Sequence, residues 1–375
     1  MLDTDVLCRA GCSVGRIRSA QLIALLAVGV VLLAGCGADD PGRGSRTPDG
    51  EPGEQSPNAS PAATASPTPT PAQDAARTPA DVVAAIAVPG FPGPVGVGFG
   101  AVWVAGHRNG AVHRIDPQTN RVVATIEIPD TLCGDFAFGS GAVWAMNCQQ
   151  GGVSWIYRVD PQTNRVTGRR PGITPVFADG SLWVVDDEAP AVLRIEPQSD
   201  RVQARIRSLG VDTGVPLVAV GAGFDSVWLY SDGGAVARIA TATNSVTAVI
   251  PLRGSRPSGP AGRGFLFGGP MAVAGGAVWL SNPAGLFRID PASNRARRLP
   301  IRAKPFSEYG HISVTAGDGS VWMRASDRHI VAVDPRTARV TGRRPASGGG
   351  GNIEFGFGSL WVANAADDSA WRVVP

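Results

Sequence analysis

The sequence predicts an all-β protein, a seven-bladed β-propeller, and three observations lead to this prediction. Tryptophan recurs at intervals of 39 to 51 residues, each time after a short stretch of small and apolar residues. Most copies also contain a turn of the type Asp-Pro-x-Thr-Asn between two strand-like segments. The last copy lacks its fourth strand, and a segment that matches such a strand lies before the first copy. A period near 40 residues is typical of four-stranded units arranged around an axis. The repeated tryptophans are Trp103, Trp144, Trp183, Trp228, Trp279, Trp322 and Trp361.

The first copy shows the predicted unit, with strands at 95–99, 101–105, 111–116 and 121–128. Their alternation of bulky with small or polar residues, interrupted by turn residues, indicates antiparallel hairpins. The turn at 116–120 reads Asp-Pro-Gln-Thr-Asn, in which Pro fixes φ and Asn tolerates the left-handed conformation. Turn chemistry is favoured over calcium binding here, because the segment lacks the alternating ligands and distal Glu of a calcium loop.

The last copy supplies only three strands, the third of them at 370–374. Residues 81–89 match residues 121–129, the fourth strand of the first copy, almost position for position. We therefore expect the N-terminal strand to complete the last blade, which closes the ring and removes two exposed sheet edges.

The N-terminal segment predicts export and lipid anchoring. Two arginines precede an uncharged run at 20–34, which has the length of a signal-peptide core and is short for a membrane span. The run closes with Leu33-Ala34-Gly35-Cys36, which resembles the bacterial lipobox. Residues 1–35 are thus predicted to be a lipoprotein signal peptide and Cys36 the lipidated residue. The alternative is an ordinary secretory signal in which Cys36 is incidental.

The next segment, residues 36–80, is predicted to be a disordered stalk, and residues 81–375 the propeller. Between 37 and 81 there are nine prolines and no Val, Ile, Leu, Met, Phe, Tyr or Trp. Such a composition cannot bury enough apolar surface to offset the entropy of ordering. We expect an extracytoplasmic protein held at the cell membrane by its lipid.

Charge and cysteine content narrow the function classes further. The formal net charge is only +3 and the arginines are spread over the repeats, so no nucleic-acid partner is expected. No phosphate loop, dinucleotide fingerprint or metal-binding cysteine cluster appears, so no cofactor and no metal are predicted. Beyond the signal and Cys36, only Cys133 and Cys148 remain. In an oxidising compartment they are a candidate disulfide, with two buried thiols as the alternative.

The repeated pattern Gly-x-Val-Trp-Val followed by Arg-Ile-Asp-Pro-x-Thr-Asn resembles that of the bacterial YVTN-type and streptogramin (virginiamycin B) lyase-like β-propellers. The resemblance covers residues 81–375 and implies the fold, since the shared residues are packing and turn residues. The lyase of this group uses His and Glu on one face for metal-assisted elimination, and its blades carry a carboxylate three residues after the Trp. Here Asp186 alone is acidic at that position, and the chain has four His.

Candidate ligand-binding residues lie on the face formed by two sets of loops, those between successive blades and those between second and third strands. Aromatic and ionisable groups converge in one such loop, and charged groups line the others. For the charged groups in the loops between second and third strands, the alternative is that they form a solvated rim and bind no ligand. In the inner strand, the position seven residues before each Trp is mostly small and is Glu354 in the last blade. A glutamate in a narrow channel needs a partner, water or ligand. The predicted ligand face is Glu308, Tyr309, His311, Glu354, Asp186 and His107.

These observations predict a membrane-anchored binding or scaffolding module, with an unknown protein, glycan or small molecule as ligand. No catalytic residue is predicted. A metal-dependent lyase or hydrolase of the resembled group is the alternative.

Overall fold

The computed structural model describes residues 79–147, 153–211, 217–255, 271–282, 284–301 and 313–375, which form seven antiparallel four-stranded sheets. In blades 1 to 6 the strands are hydrogen-bonded in chain order. Blade 1 contains β2 (Pro92–Gly98), β3 (Ala101–Gly106), β4 (Ala111–Asp116) and β5 (Arg121–Glu127). Blade 2 contains β6 (Leu132–Gly139), β7 (Ala142–Asn147), β8 (Trp155–Asp160) and β9 (Arg165–Pro171). Blade 3 contains β10 (Ile173–Ala178), β11 (Ser181–Val185), β12 (Val192–Ile195) and β13 (Val202–Ile206).

The other blades repeat this plan. Blade 4 contains β14 (Leu217–Ala222), β15 (Ser226–Ser231), β16 (Ala235–Ala240) and β17 (Ser245–Pro251). Blade 5 contains β18 (Ala272–Ala274), β19 (Ala277–Asn282), β20 (Gly285–Asp290) and β21 (Arg295–Arg298). Blade 6 contains β22 (Val314–Gly317), β23 (Ser320–Ser326), β24 (His329–Val333) and β25 (Val340–Pro345). Blade 7 contains β26 (Ile353–Gly356), β27 (Ser359–Asn364), β28 (Ser369–Val373) and β1 (Val82–Ala87).

The predicted seven-bladed propeller is confirmed, and the N-terminal strand closes its last blade. β1 pairs antiparallel with β28, with Ile86 opposite Ala370. The first strands surround the central channel, and within the described residues they contact one another closely between all neighbouring blades except 4 and 5. The described residues include one short 3-10 helix, Ala365–Asp367, and among them no helix is long and apolar enough to cross a membrane.

The apolar core is divided into seven clusters, one between each pair of neighbouring blades. The cluster between blades 7 and 1 contains Ile86, Val88 and Trp361. The first two come from the N-terminal segment, so ring closure buries apolar side chains as well as pairing backbone edges. Each cluster is a wedge between two sheets, because a single sheet cannot bury its own apolar face.

The recurrent tryptophan fastens the turn between the first two strands of its blade. In six blades the indole Nε1 donates to a carbonyl oxygen five residues earlier, at 2.9 to 3.1 Å. In blade 2 the Nε1 of Trp144 has no hydrogen-bond partner within the described part of the chain. The tryptophan thus fills the wedge between blades and also satisfies a turn carbonyl, a combination that suits an indole.

An arginine on the third strand links neighbouring blades. Arg372 of blade 7 lies over the ring of Trp361, 5.4 Å from its centroid, and donates to Asn120 Oδ1 of blade 1 at 3.1 Å. Asn120 has φ +55°, so the turn asparagine both accepts this bond and adopts the left-handed conformation expected from the sequence. We call this pair the Arg–Asn clasp. It recurs as Arg114–Asn164, Arg194–Asn244 and Arg238–Asn294.

The clasp lacks its acceptor between blades 5 and 6. Arg288 lies over the ring of Trp279 as elsewhere, but the turn residue of blade 6 is Ala338, at φ +57°. Alanine has no acceptor and is disfavoured at positive φ. We expect Ala338→Asn to raise the free energy of unfolding by about 1 kcal/mol and Asn120→Ala to lower it by about 1–2 kcal/mol. Chemical denaturation of both variants checks this, and equal effects of the same sign would contradict it.

Candidate functional site

Polar side chains gather where the first strands enter the channel from the face predicted to bind ligand. The position nine residues before the repeated tryptophan is polar in four blades. We call these four residues the polar layer: Asp135, Thr174, Ser313 and Asn352. Two residues further along the strand, the structure places Glu354 opposite Trp361 and Thr315 opposite Trp322. The channel is therefore polar at blades 2, 6 and 7, whereas the corresponding residues of blade 1 are Pro94 and Gly96. Thr174 of blade 3 instead lies against Trp183, Val220 and Leu229, in the core between blades 3 and 4.

Asp135 joins two blades that are not neighbours in the ring. Asn352 of blade 7 donates from Nδ2 to Asp135 Oδ1 of blade 2 at 2.5 Å. The backbone N–H of Asn352 donates to the carbonyl of Gly93 in blade 1, which lies between them. The irregular register of β6 between Leu132 and Phe136 turns this part of the strand toward the channel, a common use of a β-bulge.

Glu354 is held by donors from blades 6 and 7. The hydroxyl of Thr315 donates to Glu354 Oε1 at 2.7 Å, and the N–H of Phe355 donates to the same oxygen at 3.1 Å. Thr315 is buried, at 4% exposed, so its hydroxyl is committed to this carboxylate. These bonds fix one oxygen of Glu354.

The two carboxylates share an electrostatic environment that disfavours their charge. Desolvation, together with the negative charge of Glu354, raises the pKa of Asp135 to about 8, although the bond from Asn352 opposes the shift. Desolvation likewise raises the pKa of Glu354 to about 7, against the bonds from Thr315 and Phe355. Within the described residues, hydrogen-bond donors rather than cations oppose these shifts. The channel therefore favours the protonated forms of this pair near neutral pH, and full ionisation of both groups is disfavoured.

Among the residues that the structure describes, two buried polar atoms of the four polar-layer side chains have no hydrogen-bond partner, Asn352 Oδ1 and Thr174 Oγ1. Asn352 is 1% exposed. Thr174 has φ +46°, which is unusual for a β-branched residue and costs about 1–3 kcal/mol. Unsatisfied buried groups and backbone strain are both uncommon in folded proteins and cluster at functional sites.

A buried arginine orders the loop that leads to Asn352. Arg324 is 0% exposed, and burial lowers the pKa of its guanidinium to about 10. Its Nη1 donates to the carbonyls of Gly351 at 2.9 Å and Ala363 at 2.6 Å, and its Nη2 to that of Ser347 at 2.7 Å. The four-glycine loop at 348–351 is thereby tied to blade 6 and to β27.

The other predicted site residues that lie in the described part of the chain are used within the propeller. His107 Nδ1 bonds the carbonyl of Leu132 at 2.8 Å. Asp186 forms an ion pair with Arg205 and accepts the N–H of Glu188. Neighbouring rim carboxylates also accept bonds from other blades or loops, as Asp187, Asp367 and Asp368 do.

Several predictions fall on residues outside those that the structure describes: Cys36, Cys148, Glu308, Tyr309 and His311. Cys133 lies within β6 and is 1% exposed. It is disulfide-bonded. Its pairing with Cys148 stays a prediction.

Asp135 was missed by the sequence analysis. The signal was available, because Asp135 precedes Trp144 by the same nine residues that separate Asn352 from Trp361. Among the described residues, no three His, Cys, Asp or Glu side chains are grouped so that they could hold a metal ion.

Comparison with known proteins identifies the fold. No protein-family model matches the chain, and no curated protein matches it. The chain is similar to BamB from Moraxella catarrhalis, with 11% identity, a TM-score of 0.52, and coverage of 76% of this chain and 83% of BamB. It is also similar to the WD40 repeats of RRP9, with 10% identity, a TM-score of 0.60, and coverage of 76% and 94%. At such identities the similarity establishes the β-propeller fold. The function has to be inferred from the residues of the site.

Proposed function

We propose that this protein is a lipid-anchored, extracytoplasmic binding module that takes its ligand, a protein, glycan or small molecule, at the channel mouth. The observation that carries the proposal is the Asp135–Glu354 pair, two desolvated carboxylates beside a carboxamide oxygen of Asn352 that has no hydrogen-bond partner among the described residues. Such an arrangement lowers the stability of the fold, and a ligand that pairs with these groups would recover the lost free energy.

The rest of the propeller supports a binding role. The outer rim carboxylates are engaged in contacts between loops and blades, whereas Asn352 Oδ1 at the channel has no partner among the described residues. A rigid ring of blades holds the polar layer in place through the Arg–Asn clasps and the buried Arg324. Preorganised polar groups in a concave site are the usual basis of specific recognition.

Membrane anchoring is supported by the sequence. Leu33-Ala34-Gly35-Cys36 follows an uncharged run of signal-peptide length, and a Pro-, Ser- and Thr-rich stretch separates it from the propeller. Cys36→Ala should release the protein from the membrane fraction or leave an unprocessed precursor. Processing and membrane retention equal to those of the wild-type protein would overturn the anchoring part of the proposal.

In-cell crosslinking followed by mass spectrometry tests the binding part. The wild-type protein is compared with the double variant Asp135→Asn and Glu354→Gln. The matched control is Asp225→Asn and Asp318→Asn, which likewise converts two carboxylates to carboxamides, at exposed turns with φ +53° and +49°, where Asn is well tolerated. We expect partners that the wild type and the control retain and the channel variant loses. Equal partner sets for all three proteins would refute the channel mouth as the binding site.

A further inference from the structure

We propose that the propeller docks on the surface of the bilayer that anchors it, through three exposed phenylalanines on the face opposite the channel mouth. The inference rests on the lipid anchor of the proposed function and assigns a partner to a second face of the molecule. This face is formed by the turns between first and second strands, the turns between third and fourth strands, and residues 79–82. We call it the anchor face.

The chain enters the propeller on the anchor face. In blade 7, Val82 at the start of β1 lies opposite Val373, which lies opposite Leu360 near the start of β27. The turn at 357–358 joins β26 to β27 at that end of the sheet. The predicted stalk, most of which lies outside the described residues, would span about 35 Å on average as a flexible chain. A lipid on Cys36 would therefore hold this face closer to the bilayer than the channel mouth.

Three phenylalanines lie at equivalent turns of the anchor face, four residues before the repeated tryptophan. Phe99, Phe224 and Phe357 are 41%, 36% and 43% exposed, and the other exposed large apolar side chains of the described residues are valines. The remaining blades have small or acidic residues at this position: Ser140, Asp179, Gly275 and Asp318. The repeat therefore does not require an aromatic ring there.

The backbone conformation makes phenylalanine unfavourable at this position. Phe99, Phe224 and Phe357 have φ +50°, +56° and +52°, a left-handed conformation that suits Gly, Asn and Asp and disfavours bulky side chains. A ring that stays more than a third exposed also forgoes much of the burial that would offset this strain. Backbone strain combined with apolar exposure indicates a role outside the fold.

The three turns are held in place by the propeller. Arg238 Nη2 donates to the carbonyl of Phe224 at 3.3 Å, and Arg372 Nη2 donates to that of Phe357 at 3.5 Å. Phe99 lies against Phe138 of blade 2, with ring centroids 6.4 Å apart. Because the rings are presented by ordered backbone, their insertion into lipid costs little conformational entropy.

The positions of the phenylalanines around the ring define an orientation. Blades 7 and 1 are neighbours and blade 4 is three blades from each, so Phe224 lies across the ring from Phe99 and Phe357. Contacts on opposite sides of the ring place the anchor face flat on the bilayer. The channel mouth, with Asp135 and Glu354, then points away from the membrane toward its ligand.

Apolar contact rather than charge holds the anchor face on lipid. Arginines and turn carboxylates lie side by side on this face, as Arg121 lies opposite Asp116, so their charges largely offset one another. The lipid on Cys36 makes the contact intramolecular, so a few partly inserted rings suffice. We therefore expect docking on neutral phosphatidylcholine that added salt does not reverse.

Quenching by brominated lipid tests the proposal in the full chain, reconstituted into phosphatidylcholine vesicles. The reporter is Phe224→Trp, and the control is Glu188→Trp, at an exposed position on the face of the channel mouth. Dibromophosphatidylcholine should remove at least about half of the fluorescence that Phe224→Trp adds, because an inserted side chain lies about 5–10 Å into the interface. The fluorescence added by Glu188→Trp should persist. Equal quenching of both reporters, or no quenching of Phe224→Trp, would overturn the proposal.

The other two phenylalanines provide a second test. In the Phe224→Trp protein, Phe99→Asn with Phe357→Asn should reduce quenching at least about threefold, because two of the three contacts are lost. Asn suits left-handed turns, so the melting temperature should stay unchanged or rise by up to about 4 °C. The matched control Val123→Thr with Val340→Thr removes two exposed apolar side chains from outer strands and should leave quenching unchanged. Undiminished quenching after Phe99→Asn with Phe357→Asn, or a lowered melting temperature, would show that these rings serve the fold instead.

This proposal and the proposed function fail in different ways. If Cys36→Ala releases the protein but Phe224→Trp is not quenched in the lipidated chain, the anchor stands and the docking is wrong. If Phe224→Trp is quenched but the channel variants keep all crosslinked partners, the docking stands and the binding site at the channel mouth is wrong. A dimer in detergent that shields Phe224→Trp from water would assign the anchor face to a second copy and would also refute the docking.

Discussion

Deletion of residues 81–89 is expected to abolish stable folding of the propeller. The deleted segment contains β1, which pairs with β28, and it contributes Ile86, 6% exposed, and Val88, 0% exposed, to the core between blades 7 and 1. Each buried aliphatic side chain contributes about 1.5–3 kcal/mol, and a whole strand ladder is lost as well. That sum approaches the 5–15 kcal/mol by which a typical domain is stable. Size-exclusion chromatography and thermal melting should show aggregation or no cooperative transition.

Deletion of residues 37–76 provides the control for β1. That stretch contains no large apolar residue, so its removal should leave the melting temperature of the propeller unchanged. A cooperative melt at the wild-type temperature after deletion of 81–89 would contradict ring closure by the N-terminal strand.

Replacement of Arg324 by Leu should cost about 3–5 kcal/mol of unfolding free energy. The guanidinium is fully buried, and its loss leaves the carbonyls of Ser347, Gly351 and Ala363 without donors. The loop that carries Asn352 should loosen, so the channel mouth is affected together with stability. Denaturant unfolding measures the change, and Arg328→Leu, at an exposed position of the same blade, is the matched control. Equal losses for the two variants would show that the carbonyl contacts of Arg324 contribute little.

The architecture could be predicted because it is repeated. Seven tryptophans fix the number of blades, and the match between residues 81–89 and 121–129 indicates how the last blade is completed. Both residues of the Arg–Asn clasp were also visible in the sequence, since the Arg and the Asn recur in most copies of the repeat. The partnership could not be inferred, because Arg114 and Asn164 lie 50 residues apart and meet only when blades stack.

The site could be predicted only in part, because it departs from the repeat. Glu354 stood out as a glutamate at a position that is small in most other blades, and the structure places it on the channel strand β26. Asp135 did not stand out, because β-bulges shift the register at the start of several first strands and hide the equivalence of their residues. Its hydrogen bond to Asn352 joins residues that are 217 positions apart in the sequence. Local sequence patterns give no information about contacts at that separation.

The most direct test of the central claim measures stability and binding on the same variant, Asp135→Asn. Because the pKa of Asp135 is raised from 3.8 to about 8 on folding, its ionisation favours the unfolded state, and stability is lost as pH rises through this range. At pH 7.5, we therefore expect the variant to unfold with a free energy about 1 kcal/mol higher than the wild type, and this gain should vanish near pH 4. The same protein should lose the crosslinked partners of the wild type. A variant that is less stable at pH 7.5 and still binds those partners would show that Asp135 serves the fold, and it would contradict a binding site at the channel mouth.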